Sequence, residues 1–323
     1  MENPNSDKIK ILTEFILKTH KSHSVGSKDT LIVGLSGPQG SGKTTICADL
    51  ISSLHQNGLI ATTFSTDDVY IPFSEQVGNA EKYPGNRLVE FRGNAGTVHV
   101  DLAVDTLNKL KRMNETGEMV SIPIFNKSLN GGRGDRLPEA EWRKVGPRLD
   151  VVLFEGWNLG FPPVPREQVT EICSLIKSRS GPLLPISSNP NETDYHLGTS
   201  LNNGYRASSK FSEPELQLIN SLISSHSAMY NMLDAFIHFR AASLEYIYEW
   251  RWQQEQALAI SVANSNASKS AGTLTKQQVI DFVDRFMPCY EINGAQLVRV
   301  GFVPSSTSQI SLLLDANRKI ISP

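Results

Sequence analysis

The stretch Leu31–Thr45, LIVGLSGPQGSGKTT, decides the fold. Its β-formers, Leu31 to Leu35, read as a buried strand, and the glycines Gly37, Gly40 and Gly42 as a tight loop. Lys43-Thr44 then opens a helix with apolar positions Ile46, Leu50, Ile51 and Leu54. Strand, loop and helix in that order, with Gly37 to Thr44 fitting GxxxxGK[ST], is the pattern of a phosphate-binding loop. Each residue type has a physical task. Glycine admits positive φ, so successive N–H groups converge on phosphate oxygens. The new helix offers unpaired N–H groups and the positive end of its dipole. Lys43 adds a point charge, and the Thr44 hydroxyl can hold Mg2+. Gly37, Pro38, Gln39, Gly40, Ser41, Gly42, Lys43, Thr44 and Thr45 are therefore the candidate nucleotide-holding residues.

Working outward, residues Asp7 to Thr19 carry Ile9, Leu12, Ile16 and Leu17 at helical spacing, a packing helix ahead of the strand. Beyond Gly58, Leu59 to Phe64 reads as a second buried strand of a parallel sheet. It ends in Ser65-Thr66-Asp67-Asp68-Val69-Tyr70, which sets two acids at the C-terminal end of a strand, where open α/β sheets bind ligands. One of the pair can cap the following turn; Asp67 is the stronger candidate for the site and Asp68 for the cap. Asp150 to Trp157, DVVLFEGW, is the clearest central strand and delivers Glu155 to the phosphate-loop side. Asp150, at the other end, is read as structural.

Two loop segments bring cations. Ile71 to Thr97 is too long for an ordinary connector and contains Arg87 and Arg92; Asn126 to Arg136 contains Lys127, Arg133 and Arg136 among glycines. They are either solvated charge or a clamp for an anionic substrate. A helix is expected over Leu102 to Met113 and a short strand over Met119 to Ile122. Residues 180–214, rich in Pro, Ser and Asn, read as a surface insertion with His196 exposed. Helical spacing returns over Glu215 to Leu233, a strand over Asp234 to Phe239 and a helix over Ala241 to Ala259. In that last helix Arg251 shares a stripe with Leu244, Ile247 and Tyr248, and either snorkels to solvent or faces the nucleotide. A linker over Asn264 to Thr273 precedes a helix from Thr275 to about Pro288. Leu297 to Val303 and Ile310 to Leu314 fit strands or a strand-helix pair.

The totals narrow the function. The chain has 323 residues, 31 Lys+Arg against 33 Asp+Glu, and a formal charge of −2, so nothing draws it globally to nucleic acid or membrane, and a small-molecule ligand is expected. No stretch approaches the ~20 apolar residues of a membrane span. The first residues, MENPNSDKIK, lead into no apolar signal-peptide core. The three cysteines, Cys47, Cys173 and Cys289, have neither metal-site spacing nor disulfide-scaffold density. A reducing compartment follows, cytoplasmic with the nucleus possible, and a monomer or small homo-oligomer.

A phosphate cradle, a Mg2+-binding hydroxyl and strand-end carboxylates from two strands make a phosphoryl-transfer site. Lys43, Asp67 and Glu155 are the candidate catalytic residues, with Asp67 the base. Thr44 and Glu155 are the candidate metal pair, Asp67 a further candidate ligand, and Arg87, Arg92, Lys127, Arg133 and Arg136 the candidate substrate contacts. The expected architecture is α/β, a P-loop NTPase fold with a mostly parallel central sheet and helices on both faces.

The motifs GPQGSGKT, STDDVY, RGNAGT, FNKSxxxGxGDR and VVLFEGWxLGF, in this order, with WRWQQE and VxxFVDRFMPCY later, resemble the D-glycerate 3-kinase family of plants and its fungal homologues. That family lies within the uridine kinase, phosphoribulokinase and pantothenate kinase group. The resemblance implies ATP and Mg2+, phosphorylation of a primary hydroxyl of glycerate, Asp67 as base, Glu155 as metal-associated acid, Arg251 as a lid arginine, and closure of Lys127 to Arg136 over substrate. The resemblance covers roughly Ile32 to Phe161, and one kinase domain is expected over 1–323: an N-terminal helix at 6–20, a core at 30–162, the insertion at about 180–214, and a lid and C-terminal part at 215–323. Thr97 is followed by Val98-His99 where the family carries His-Asp, and Asn126 stands where some relatives have Asp. The competing readings are another acceptor, such as a nucleoside or pantothenate, and an ATP-binding regulatory protein with weak or lost kinase activity. A guanine-nucleotide switch is disfavoured, since Asn126-Lys127-Ser128-Leu129 lacks the acid of NKxD.

Overall fold

Strands that are apolar at every position have to be covered on both faces, and the sheet is built that way. The structure, a computed structural model, describes residues 5–25, 27–178, 206–264, 274–304 and 307–322. Helix α1 (Ser6–His23) precedes β1 (Leu31–Ser36), followed by α2 (Lys43–Gln56), β2 (Ala61–Ser65), α3 (Phe73–Lys82) and α4 (Val100–Lys111). Four short strands come next, β3 (Val120–Ile122), β4 (Phe125–Asn126), β5 (Asp135–Arg136) and β6 (Arg143–Val145), and then the central β7 (Val151–Gly156). The C-terminal part contributes β8 (Ala235–Ala241), β9 (Ser308–Leu314) and β10 (Ile320–Ser322). The main sheet runs β10-β9-β8-β1-β7-β2, parallel except for β10.

Alternation along each strand divides the core in two. Leu31, Val33 and Leu35 of β1 pack with Leu12 and Ile16 of α1 and Leu50 and Leu54 of α2. Ile32 and, from β7, Val152 and Phe154 pack on the other face with Leu107 and Leu110 of α4. The exposed edge at β2 is closed by a side chain: Arg143 Nη1 donates to Thr62 Oγ1 at 2.8 Å and Nη2 to the Thr63 carbonyl at 2.5 Å. That contact docks the antiparallel β3–β6 pair against the sheet and denies the edge to a second chain.

Several expectations needed correction. Ile71 to Thr97 is not loop throughout, since it holds α3; that helix buries only Gln76, so no apolar stripe announced it. The short strand expected at Met119 to Ile122 is present as β3, and it lies outside the main sheet. Leu297 to Val303 is mostly helical: Ala295–Val300 ends a helical run that begins at Met287 and includes a π-helical turn, Tyr290–Gly294. Most of the 180–214 insertion, His196 with it, and most of the Asn264 to Thr273 linker lie outside the described residues. The end of the insertion is core: Ala207 and Ser208 are buried, and their N–H groups donate to Glu291 Oε1 and Oε2 at 3.1 and 2.9 Å. No helix among the described residues is long and apolar enough to cross a membrane.

Candidate active site

Parallel register brings the functional strand ends together. Leu35 of β1 lies beside Glu155 of β7, and Glu155 lies beside Ser65 of β2. Glu155 Oε1 accepts from Ser65 Oγ at 3.3 Å and from Thr44 Oγ1, at the start of α2, at 3.5 Å. Burial pushes the Glu155 carboxyl above the usual range, while the Lys43 ammonium pulls it down. Lys43 is itself buried, and burial lowers its pKa against the opposing carboxylates Glu155 and Asp67. Its Nζ donates to the carbonyls of Gly37 and Pro38 at 2.7 and 3.0 Å, curling the loop over the ammonium.

The loop is braced from behind. Gly40 has φ +75°, and a Cβ there would stand 2.6 Å from Trp250 Cβ, so only glycine fits. The Gly40 carbonyl accepts from Arg318 Nε at 2.6 Å, Arg318 lies over Trp250, and the Gln39 N–H donates to Tyr290 Oη at 3.1 Å. A cradle for phosphate fits these residues. Ser41 Oγ is buried in the loop without a partner among the described residues, while Thr44 and Thr45 are exposed at the mouth.

Ser65 decides which of the two acids is free. It caps the 3-10 turn Thr66–Val69: Ser65 Oγ accepts from the Asp67 N–H, and Asp68 Oδ2 accepts from the Ser65 N–H at 2.9 Å. Asp68 is thus spent on the backbone, and burial raises its pKa to about 6. Asp67 points into the cleft. Its Oδ1 accepts from Tyr70 Oη at 2.6 Å, and its Oδ2 accepts from Lys127. Burial alone would raise the Asp67 carboxyl, but the Lys127 charge and the hydrogen bonds from Lys127 and Tyr70 outweigh it and hold it below the usual range. Thr44, Asp67, Glu155, Phe125 and Lys127 line one cavity of about 460 Å³.

The other sequence-derived cations separate. Arg92 sits near Tyr70 and Asp67, over Phe125 at 5.6 Å, and donates through Nη1 to the Gly132 carbonyl at 2.6 Å. Arg133 is sandwiched between Phe73 and Phe91 and donates through Nη2 to the Glu90 carbonyl at 2.7 Å. Arg136 Nη2 donates to the Tyr70 carbonyl at 2.6 Å and to His99 Nδ1 at 2.9 Å. These two brace loops. Because arginine can only donate, His99 Nδ1 is an acceptor, and Nε2 carries the proton toward Glu75 Oε2 at 2.6 Å. The Val98-His99 pair is therefore a scaffold, with Val98 bridged to Tyr70. Arg87 is exposed. Arg251 is paired with Glu255 at 2.9 Å and lies over Phe282 at 5.1 Å, facing the helix Lys276–Asp284; Trp250 is the residue of its helix that meets the phosphate loop. Tyr70, Tyr290 and Arg318 join the candidate site without being among the residues that sequence reasoning singles out. Tyr70 and Tyr290 stand in the quoted STDDVY and MPCY motifs, while nothing in the sequence marks Arg318.

Known proteins resemble this chain in sequence and in fold. The chain is 31% identical over 313 residues to the uncharacterized kinase mug58 of Schizosaccharomyces pombe, covering 96% of this chain and 97% of that protein. It is also 31% identical over 262 residues to the chloroplastic D-glycerate 3-kinase of Arabidopsis thaliana. The chain belongs to the D-glycerate 3-kinase family of P-loop kinases. Among solved structures, the D-glycerate 3-kinase from Cryptococcus neoformans superposes with a TM-score of 0.79 at 27% identity, over 98% of each chain. The match to the plant protein covers 81% of this chain and 47% of that one, so the chain spans about half its length. No protein-family model matches the chain. The fold agrees with the α/β P-loop expectation.

Proposed function

We propose that this protein uses ATP to phosphorylate the primary hydroxyl of a small hydroxy acid, D-glycerate, giving 3-phosphoglycerate. The observation that carries the reading is the convergence of Asp67 and Glu155, from separate strands, on the cleft that opens at Lys43 and Thr44. In this reading the loop Gly37 to Thr45 cradles the phosphates, and Lys43 swings from its carbonyl partners to the anion. Thr44 and Glu155 are the residues that would hold Mg2+, which when bound supplies neutralisation of charge on the phosphates. Asp67 accepts the proton of the acceptor hydroxyl as its oxygen bonds to the terminal phosphorus and the bond to the bridging oxygen breaks, its electron pair leaving with ADP. Lys127 and Arg92, beside Asp67, favour an anionic acceptor over a nucleoside, for which aromatic stacking would be expected. Three free, buried cysteines support a reducing compartment, for which we propose the cytoplasm. An acceptor panel with ATP tests the reading: ADP release should depend on D-glycerate and be weak with nucleosides and pantothenate, and the reverse order would refute it.

The pH profile gives a second check. A base works ionised, so activity is lost as pH falls through its pKa. With Asp67 held low, the acid limb of kcat/KM should lie below the ordinary aspartate value of about 4. Lys127→Ala removes the charge and the hydrogen bond that do most to hold Asp67 down against burial, leaving the Tyr70 hydrogen bond and the Lys43 charge. The limb should then move to higher pH, while stability at neutral pH falls by whatever the lowered carboxyl had contributed. An unmoved limb would show that another group titrates.

A further inference from the structure

The Val279–Tyr290 segment, unused in the chemistry above except for Tyr290, sets one more arginine beside the loop that carries Phe91, Arg92 and Asn94. Arg285 follows the helix Lys276–Asp284, and its guanidinium lies over three rings, 4.8 Å from Phe91, 5.0 Å from Phe282 and 5.7 Å from Phe286. Its backbone is fixed, the carbonyl accepting from Asn94 Nδ2 at 2.8 Å, so it is tied to the loop that carries Arg92. Among the described residues no hydrogen bond or ion pair engages the guanidinium, whose faces are covered by rings and whose N–H edge is uncommitted. Burial lowers its pKa to about 10; Arg87 and Arg92 push the same way, and only Glu90 opposes them. Arg133 lies over the same Phe91 ring at 4.9 Å, so cations gather at the loop that carries Arg92 and to which Arg285 is tied. Arg92 joins this group to the cleft, being near Asp67 and over Phe125, which lines it.

We propose that Arg285, with Arg92 beside it, receives the carboxylate of the acceptor and makes the enzyme select a hydroxy acid over a neutral polyol. The inference rests on the kinase reading above. A stacked, planar guanidinium loses little freedom on binding and matches a carboxylate with two parallel bonds, which a lysine cannot do. The test is steady-state kinetics of Arg285→Gln and Arg285→Lys with D-glycerate, glycerol and ATP varied separately. Arg285→Gln should raise KM for D-glycerate about 30- to 100-fold, leave KM for ATP within about twofold, and collapse the preference for D-glycerate over glycerol. Arg285→Lys, which keeps the charge and the stem, should fall between, and guanidinium ion should restore part of the glycerate activity of Arg285→Ala. An unchanged KM for D-glycerate in a variant of normal melting temperature overturns the inference alone. So does a loss that is equal for glycerate and glycerol. A wild-type enzyme that phosphorylates no hydroxy acid overturns the functional reading and this inference with it.

Discussion

Asp67→Asn should lower kcat about 10³-fold and leave the Kd for ATP within about twofold, the loss expected when a positioned general base is removed. The amide keeps an oxygen for the Tyr70 hydroxyl that now donates to Oδ1. It replaces the acceptor of Lys127 with an N–H2 group and cannot take a proton from a hydroxyl. Asp68→Asn is the internal control. That carboxylate accepts from the Ser65 N–H and belongs to the turn, so its substitution should affect stability far more than the ratio of kcat to nucleotide affinity. Rates in a coupled ADP-release assay, with ATP affinity from calorimetry, separate the two. Equal rate losses for both variants would remove the distinction that the capping box creates.

Lys43→Ala has the other large effect: a rise of at least about 100-fold in the Kd for ATP and a fall of about 10³-fold in kcat. Lys43 is buried and bonded to the carbonyls of Gly37 and Pro38, and it faces Glu155 and Asp67. Its removal leaves two carboxylates without the cation that offsets them as negatively charged phosphates arrive. It also frees loop carbonyls that are buried behind the ammonium, so a lower melting temperature accompanies the loss. Calorimetry on variant protein shown to be folded by circular dichroism distinguishes lost anion binding from a collapsed loop. Tight ATP binding by a folded Lys43→Ala protein would mean that the phosphates lie elsewhere.

The parts legible in sequence are those set by short-range rules. The apolar runs Leu31 to Leu35 and Val151 to Phe154 could only be buried strands, and their parallel pairing puts Glu155 at the same end as the glycine loop. The order Ser65, Asp67, Asp68 already contained the cap, since a serine with an acid three positions later is a capping box. What the chain order hid was direction and stacking. Arg251 falls on an apolar stripe, but its helix is covered on more than one side. Trp250 and Ile247 are both fully buried, so helical spacing could not say which stripe meets the phosphate loop. Arg133 and Arg136 were grouped with Lys127 by proximity, yet their donors go to the backbone of distant loops. Arg285 is not marked by sequence because its distant partner Phe91 is brought to it only by tertiary folding. Helix α3 escaped for the opposite reason, having almost nothing to bury.

Phosphorus NMR of the protein with ATP, Mg2+ and D-glycerate measures directly whether phosphoryl transfer to a hydroxy acid takes place at the cleft shared by Thr44, Asp67 and Glu155. A phosphomonoester resonance growing in step with ADP, absent without D-glycerate and absent with Asp67→Asn, is the predicted result. ATP turned over only to inorganic phosphate, or a phosphomonoester that forms as fast with Asp67→Asn as with the wild type, would contradict it.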